Sequence, residues 1–490
     1  MFSFREVTWP RSTTCMSNDF ARCVTLAVCG VIVAPLIPAM AQESDSPGGA
    51  ITPERPSIEF NRWKEDWSVL ADPALRTEPL DDLKYIPFSS SDPKSYMSLG
   101  AGLRERFESN DAPSFGVGKQ PSEQYVIERA EVDVDIHPNA HWQLFTQLQD
   151  DRAFGKQVLT PVDADKFDLE QAFIAYQGSL GGGTLKMRIG RQEIGFDLQR
   201  FVSERDGPNV RQAFDAAWVD WEKAPWRLIT FWSHPVKDVD VHPFDDYSSP
   251  HFQYGGFRVE RRDVGPGAVS VYVSRYELDD SKFLFATGYE RRDIVDARYA
   301  GARDDFDWDL EAMGQGGNLG PKRVSAWALG ALNGFTFRDI QWLPRVGLQV
   351  DAASGTRRPE STTVGTFNPL FPNGYYVTLS GYTGDTNLLH FKPSITISPV
   401  RGLKVMGAVG LLWRETTADA IYLQPDIPIQ GTAGRGGRWT AVYGQLRADC
   451  VFNAHLTGAL EINDYAIGET IRQVGGHDSD YVGLELKFQW

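Results

Sequence analysis

From Tyr96 onward, apolar and polar residues alternate with a period of two in one segment after another. Val126, Ala130, Val132, Val134 and Ile136 stand against Arg129, Glu131, Asp133 and Asp135. Leu185, Met187 and Ile189 stand against Lys186, Arg188 and Gly190, and Leu456, Leu460 and Ile462 against His455, Glu461 and Asn463. Successive side chains of a strand point to opposite faces, so each segment is predicted to be a strand with one apolar and one polar side. The chain ends on such a strand: Val482, Leu484, Leu486, Phe488 and Trp490 share a face, opposite Gly483, Glu485, Lys487 and Gln489. At a sheet edge in water this pattern invites aggregation. In a closed membrane barrel the apolar face meets lipid, the polar face meets the lumen, and no edge remains.

Eighteen segments of this kind are predicted: 97–107, 124–136, 140–150, 168–177, 184–192, 213–223, 226–234, 252–261, 268–277, 291–301, 304–315, 322–333, 342–352, 387–398, 401–415, 437–450, 453–465 and 480–490. Their connections alternate in length. Residues 108–123, 151–167, 193–212, 235–251 and 278–290 are long; 137–139, 178–183, 224–225 and 262–267 are short. Later, 353–386, 416–436 and 466–479 are long, while 399–400 and 451–452 are tight. Only 316–321 and 334–341 break the rhythm. Long loops at one end and short turns at the other are the habit of outer-membrane barrels, whose short turns face the periplasm. Tyr and Trp gather near the segment ends, as at Trp142, Tyr176, Trp413 and Trp439, where amphipathic rings suit the two membrane interfaces. The fold expected is all-β: a transmembrane antiparallel up-and-down barrel of about 18 strands.

The region before the barrel reads differently. Residues 1–41 carry Arg11 and Arg22, an apolar run from Cys23 to Ile37, and a small-residue site ending at Ala41, the organisation of a secretory signal peptide. Residues 42–95 are rich in Pro, Asp and Ser and are expected to form a periplasmic arm with a short helix near Trp63–Leu70; residues 96–490 form the barrel. Cys15, Cys23 and Cys29 would leave with the signal, and Cys450 alone supports neither an intrachain disulfide nor a cysteine metal site. No run of about 18 apolar residues follows the signal, which excludes a helical membrane protein. The net charge of −16 argues against nucleic acid as a partner. There is no G-x-S-x-G, H-E-x-x-H or phosphate-binding loop, and the histidines lack metal-ligand spacing, so no enzyme activity, cofactor or metal is expected.

Alternation places many cations on the inward face: Arg104, Arg106, Arg129, Lys186, Arg188, Arg258, Arg345, Arg414 and Arg447, with Glu131 and Asp133 among them. Guanidinium forks match carboxylate geometry, so an arginine-lined constriction suits a polyanion. The alternative for each arginine is pairing with acids across the wall. Loop 353–386, with Phe367-Asn368-Pro369-Leu370-Phe371-Pro372, is expected to enter the lumen.

Several stretches resemble the alginate export family of outer-membrane proteins. They are Leu103-Arg104-Glu105-Arg106-Phe107, Ile189-Gly190-Arg191-Gln192, Asp206-Gly207-Pro208-Asn209-Val210-Arg211 with Phe214-Asp215, Asp309-Leu310-Glu311 with Gln315-Gly316, and Phe367–Pro372. The resemblance runs from about Trp63 to Trp490. It implies an 18-stranded barrel in the Gram-negative outer membrane that passively exports an anionic exopolysaccharide through an arginine-rich pore gated by loops. By position, Arg104, Arg106, Arg129, Arg188 and Arg191 would be counterparts of the family's pore-lining basic residues. The partners expected are an anionic polysaccharide, outer-membrane lipid and lipopolysaccharide, the assembly machinery through Trp490, and periplasmic polysaccharide-export proteins. The competing expectation is a general porin, or one for uptake of sugars or small anions.

Overall fold

The computed structural model describes residues 55–118 and 121–490; the expected signal segment, 1–41, and the first part of the arm lie outside the described residues. Eighteen long strands build the barrel. They are β1 (Tyr96–Asn110), β2 (Glu123–His137), β3 (Trp142–Phe154), β4 (Asp165–Leu180), β5 (Gly183–Glu193) and β6 (Ala213–Lys223). Next come β7 (Trp226–Lys237), β8 (Phe252–Val264), β9 (Gly267–Phe283), β10 (Ala286–Arg303), β11 (Phe306–Leu319) and β12 (Lys322–Thr336). The last are β13 (Arg345–Ala353), β14 (Leu388–Val400), β15 (Leu403–Arg414), β16 (Trp439–Val451), β17 (Leu456–Ile467) and β18 (Ser479–Gln489). Each strand pairs antiparallel with its neighbours in the chain, and β18 pairs with β1 from Gly102↔Gln489 to Asn110↔Tyr481. That closure satisfies the backbone groups an edge would leave bare in lipid.

The alternation has the expected consequence. Leu484, Leu486 and Phe488 are exposed on the outer face of β18, as are Val132 and Val134 on β2 and Met187 and Ile189 on β5. Arg104, Arg106, Arg129, Glu131, Asp133 and Asp135 are buried on the inner side. Most of the predicted connections survive, with one correction. Residues 278–290, read as a long loop, instead extend β9 and β10, which meet at a tight turn after Phe283↔Ala286. The pairing shifts register between Leu278 and Ser281, which breaks the period of two, so Glu277–Glu290 carries no regular alternation to read.

The arm packs at the short-turn end. The single short helix expected near Trp63–Leu70 is instead a pair of 3-10 turns, Arg62–Lys64 and Trp67–Ala71, followed by Pro73–Leu75 and a four-residue helix at Asp81–Lys84. Asp66 and Asp72 cap turns by accepting from Ser68 N and Ala74 N. Trp67, Leu70, Tyr85 and Tyr96 form a small core under it.

The barrel is not hollow. Three connections from the long-loop end, 194–212, 354–387 and 415–438, fold inward. Phe201, Phe367, Leu370, Phe371, Val377 and Ile421 pack with wall residues such as Phe214, Trp218, Phe231 and Tyr254 in one apolar cluster.

Candidate functional site

The candidate site is the lumen, built where inward wall residues meet the three loops and the arm. Loop 194–212 is held by two guanidinium groups of adjacent strands. Arg104 donates from Nη1 to Asp206 O at 2.7 Å and from Nη2 to Pro208 O at 2.9 Å and Asn209 Oδ1 at 3.0 Å. Arg129 donates from Nε to Asn209 O at 2.8 Å and from Nη2 to Pro208 O at 2.9 Å, and its Nη1 binds the Asp206 carboxylate. The turn 206–209 therefore sits in a double fork. On the other side of the loop, Arg200 binds the Glu311 carboxylate and donates to Tyr376 OH at 2.5 Å.

Loop 354–387 crosses the lumen. Near one wall, the Phe371 ring packs on Phe214 of β6 at 5.0 Å and on Tyr254 of β8 at 5.4 Å. Near the other, Tyr375 OH receives a hydrogen bond from Arg106 of β1 at 3.2 Å and donates to Glu485 of β18 at 2.9 Å. Lys392 of β14 donates to Val377 O at 2.9 Å. Between this loop and loop 194–212, Arg200, Phe201, Asp351, Tyr376 and Asp385 enclose about 10 Å³, barely the room one water requires. The loops plug the lumen at this level.

The remaining sequence-predicted residues fall as follows. Arg106 also pairs with Glu108, at 2.7 Å from Nε. Arg258 grips Asp197 with two hydrogen bonds of 2.8 and 2.7 Å. Arg447 lies 2.8 Å from Asp449 and 3.0 Å from Glu461, and Lys186 lies 3.7 Å from Glu222. Arg345, half-buried, donates to Asp307 at 3.0 Å. Arg414 donates to loop carbonyls at Asp419, Thr432, Arg435 and Gly437, fastening loop 415–438. Glu131 meets Arg211 at 3.0 Å. Asp133 lies over Gly100 of β1, where a Cβ would come within 2.3 Å of its carboxylate; only glycine leaves that room. Arg188 is different: its guanidinium stacks between rings, 4.1 Å from Trp63 and 5.4 Å from Trp218. Arg191 is different again. It shares its face of β5 with exposed Met187 and Ile189 and pairs with Asp215 at 3.0 Å, outside the lumen.

Sequence reasoning missed the partners that come from loops: Asp197, Arg200, Asp206, Asn209, Arg211 and Tyr375. Alternation cannot place a loop side chain, although the density of polar residues in 204–212 hinted at one. A group of acids at the long-loop end, Asp165, Asp168 and Asp246, brings one carboxylate oxygen from each within 4.8 Å of the others. It stands apart from the arginine forks.

The arm packs over part of the opposite mouth, on the side of β1–β5, β17 and β18. Arg62 Nη2 donates to Trp490 O at 2.9 Å, Gln143 donates to Trp63 O at 2.8 Å, and His455 meets Glu78 at 2.7 Å. The Lys84 ammonium lies over the rings of Trp490 at 4.4 Å and Trp67 at 5.1 Å and has no oxygen acceptor. Burial, aided by the charge of Arg62, pushes it down to about 8. The docked arm thus binds fewer protons than the released arm between this value and the ordinary lysine range. Docking is expected to weaken as pH falls from about 10 towards 8 and to stay flat below. Proteolytic clipping within 55–95, at matched protease activity, should be roughly tenfold or more slower at pH 10 than at pH 8. Lys84→Met should remove that difference.

The model of the family described as alginate export matches residues 95–485. No curated protein has a matching sequence. Among solved structures, the chain is similar to the outer membrane protein OpdK from Pseudomonas aeruginosa, with a TM-score of 0.53 at 11% identity over 80% of this chain and 99% of that one. It is likewise similar to OccK8 (OprE) of the same organism, with a TM-score of 0.52 at 10% identity over 80% and 98% of the two chains. The same holds for OccK2 (OpdF), solved with glucuronate, at 0.52, 10%, 80% and 98%. At these identities the likeness concerns the fold.

Proposed function

The chain belongs to the alginate export family, outer-membrane barrels that form polysaccharide export channels, and from that premise we propose that it lets an acidic, uronate-type exopolysaccharide leave the cell passively through its arginine-rich lumen. The observation that carries this reading is the set of inward forks at Arg104, Arg106 and Arg129. In the closed state they are occupied by loop carbonyls, Asp206 and Glu485. A carboxylate-bearing chain offers the same acceptors in series, so it can exchange with the loops without leaving buried charge unpaired. Loops 194–212 and 354–387 are then the gate, and the wall arginines are both latch and track. Residues Lys186, Arg258, Arg345, Arg414 and Arg447, with Glu131 and Asp133, complete the charged lining. The sequence carries no phosphate-binding loop motif, and polymer synthesis on the periplasmic side supplies the drive.

Reversal potentials in planar bilayers test the assignment. Changing Arg129 and Arg188 to Glu is expected to lower the anion-to-cation permeability ratio by roughly threefold or more, because two charges reverse on the wall of a narrow passage. An unchanged ratio removes both residues from the pore lining. A large steady conductance from the unaltered protein, without block by polyuronate, would favour a porin for small anions or sugars instead.

A further inference from the structure

Two inward cations near the periplasmic mouth differ from the rest. Arg188 lies between the outward Met187 and Ile189, and Lys487 between the outward Leu486 and Phe488. Among the described residues, neither side chain has a carboxylate within 4.0 Å or makes a hydrogen bond, and Asp206 and Asp220 act on Lys487 and Arg188 only from beyond that distance; Arg188 Nη1 is buried without a partner. The forks at Arg104, which stands directly beside Lys487 across the β1–β18 pairing, and at Arg129 are saturated by comparison. Each of these two cations is covered by an aromatic ring of the arm. Trp63 lies 4.1 Å from the Arg188 guanidinium, and Phe60 lies 5.0 Å from Lys487 Nζ and 4.9 Å from Arg211.

We propose that Arg188 and Lys487 form the first carboxylate-binding subsite that a uronate chain meets at the periplasmic mouth, and that Phe60 and Trp63 of the arm cover it until the polymer displaces them. The proposal rests on the export reading above and adds its regulation.

Three observations support it. A ring face is a weaker partner for a cation than a carboxylate, which adds charge-assisted hydrogen bonds, so exchange favours the acidic ligand. Phe60 and Trp63 are three residues apart, so their Cα atoms are at most about 11 Å apart. A short oligouronate spans that distance, so one ligand can uncover both cations. The arm segment is also built to yield. It consists of 3-10 turns joined by few backbone hydrogen bonds, with Phe60 placed before the first of them. Segments of this kind open at low cost compared with barrel strands. Arg211 lies under the same Phe60 ring but is already matched by Glu131 at 3.0 Å and Glu193 at 2.8 Å, so it serves as the floor of the subsite and not as a vacant cation.

The test uses the full mature chain, with a defined oligogalacturonate as probe and a neutral maltooligosaccharide of equal length as control. In the wild type, the acidic oligomer should speed hydrogen exchange across residues 59–72, and the neutral one should not. Phe60→Ala with Trp63→Ala should lower the oligogalacturonate concentration that blocks current by about tenfold, since the covered fraction no longer discounts affinity. Adding Arg188→Gln and Lys487→Gln should abolish that gain. Bound oligomer without faster arm exchange overturns the cap, and a gain that survives loss of both cations overturns the subsite. If the uncapped protein conducts yet no variant binds the acidic oligomer, it is the polyuronate reading that fails. Should the uncapped variant not fold, Arg188→Gln with Lys487→Gln on the intact arm decides: the oligomer must then leave arm exchange unchanged.

Discussion

Replacing residues 355–386 with a short turn is expected to raise single-channel conductance by about an order of magnitude or more, turning a plugged barrel into an open one. Ala353 and Leu388 are direct partners across β13 and β14, so a tight hairpin joins the cut ends without disturbing the wall. What leaves is the segment that spans the lumen, from Phe371 against Phe214 and Tyr254 to Tyr375 between Arg106 and Glu485. The barrel should survive, because its strand hydrogen bonds are independent of the loop and its outer apolar face is held by lipid. The apolar lumen residues released, Phe214 and Tyr254 among them, become wet, which costs stability but not closure of the sheet. Arg200 loses Tyr376 and keeps Glu311. Conductance that stays near the wild-type level would show that loop 194–212 and the arm close the passage by themselves, and would move the gate there.

The two halves of this structure were not equally visible in the sequence. The wall was, strand by strand, because lipid on one side and charge on the other imprint a period of two on every segment that crosses the membrane. Where that period breaks, the signal ends: β9 and β10 run on through Glu277–Glu290 across a register shift between Leu278 and Ser281, and that stretch reads as loop. The arginines of the wall were legible as inward residues, except Arg191, which the outward side of β5 carries next to Ile189. Their partners were not. Arg104 and Arg129 find Asp206, Pro208 and Asn209 from 77 to 105 residues away, and no local pattern encodes such a meeting. The arm was legible only as a polar, proline-rich lead. That Phe60 and Trp63 turn into the barrel depends on cations supplied by β5, β18 and loop 194–212, which only the closed fold brings together.

Asn209→Leu is expected to unlatch loop 194–212 while leaving the barrel closed on itself. The side chain is buried, and the two hydrogens of its Nδ2 are shared among three carbonyls, Glu128 O, Arg152 O and Asp163 O, each at 3.0 Å, while Oδ1 accepts from Arg104. One residue thus ties the loop to β2, to β3, to the 155–164 connection and to a wall arginine. Leucine has a similar branched outline, is somewhat larger, and offers none of these bonds. Two donor hydrogens shared by three carbonyls are lost and a buried guanidinium loses an acceptor, a penalty of about 3 kcal/mol. That corresponds to roughly a hundredfold rise in the open population of the loop. The neighbouring backbone bonds from Asn209 N and Val210 N to Val162 O, both 3.1 Å, are the amides to watch, and their hydrogen exchange should accelerate by that factor. Exchange in β17 and β18 should not change, since none of these bonds reaches those strands. Asn209→Asp separates the two roles of the side chain: it keeps an acceptor for Arg104 and loses the donors, so its effect should fall between wild type and leucine. Equal protection in all three proteins would mean that the guanidinium forks alone hold the loop, and the latch would then be Arg104 and Arg129 acting on the backbone.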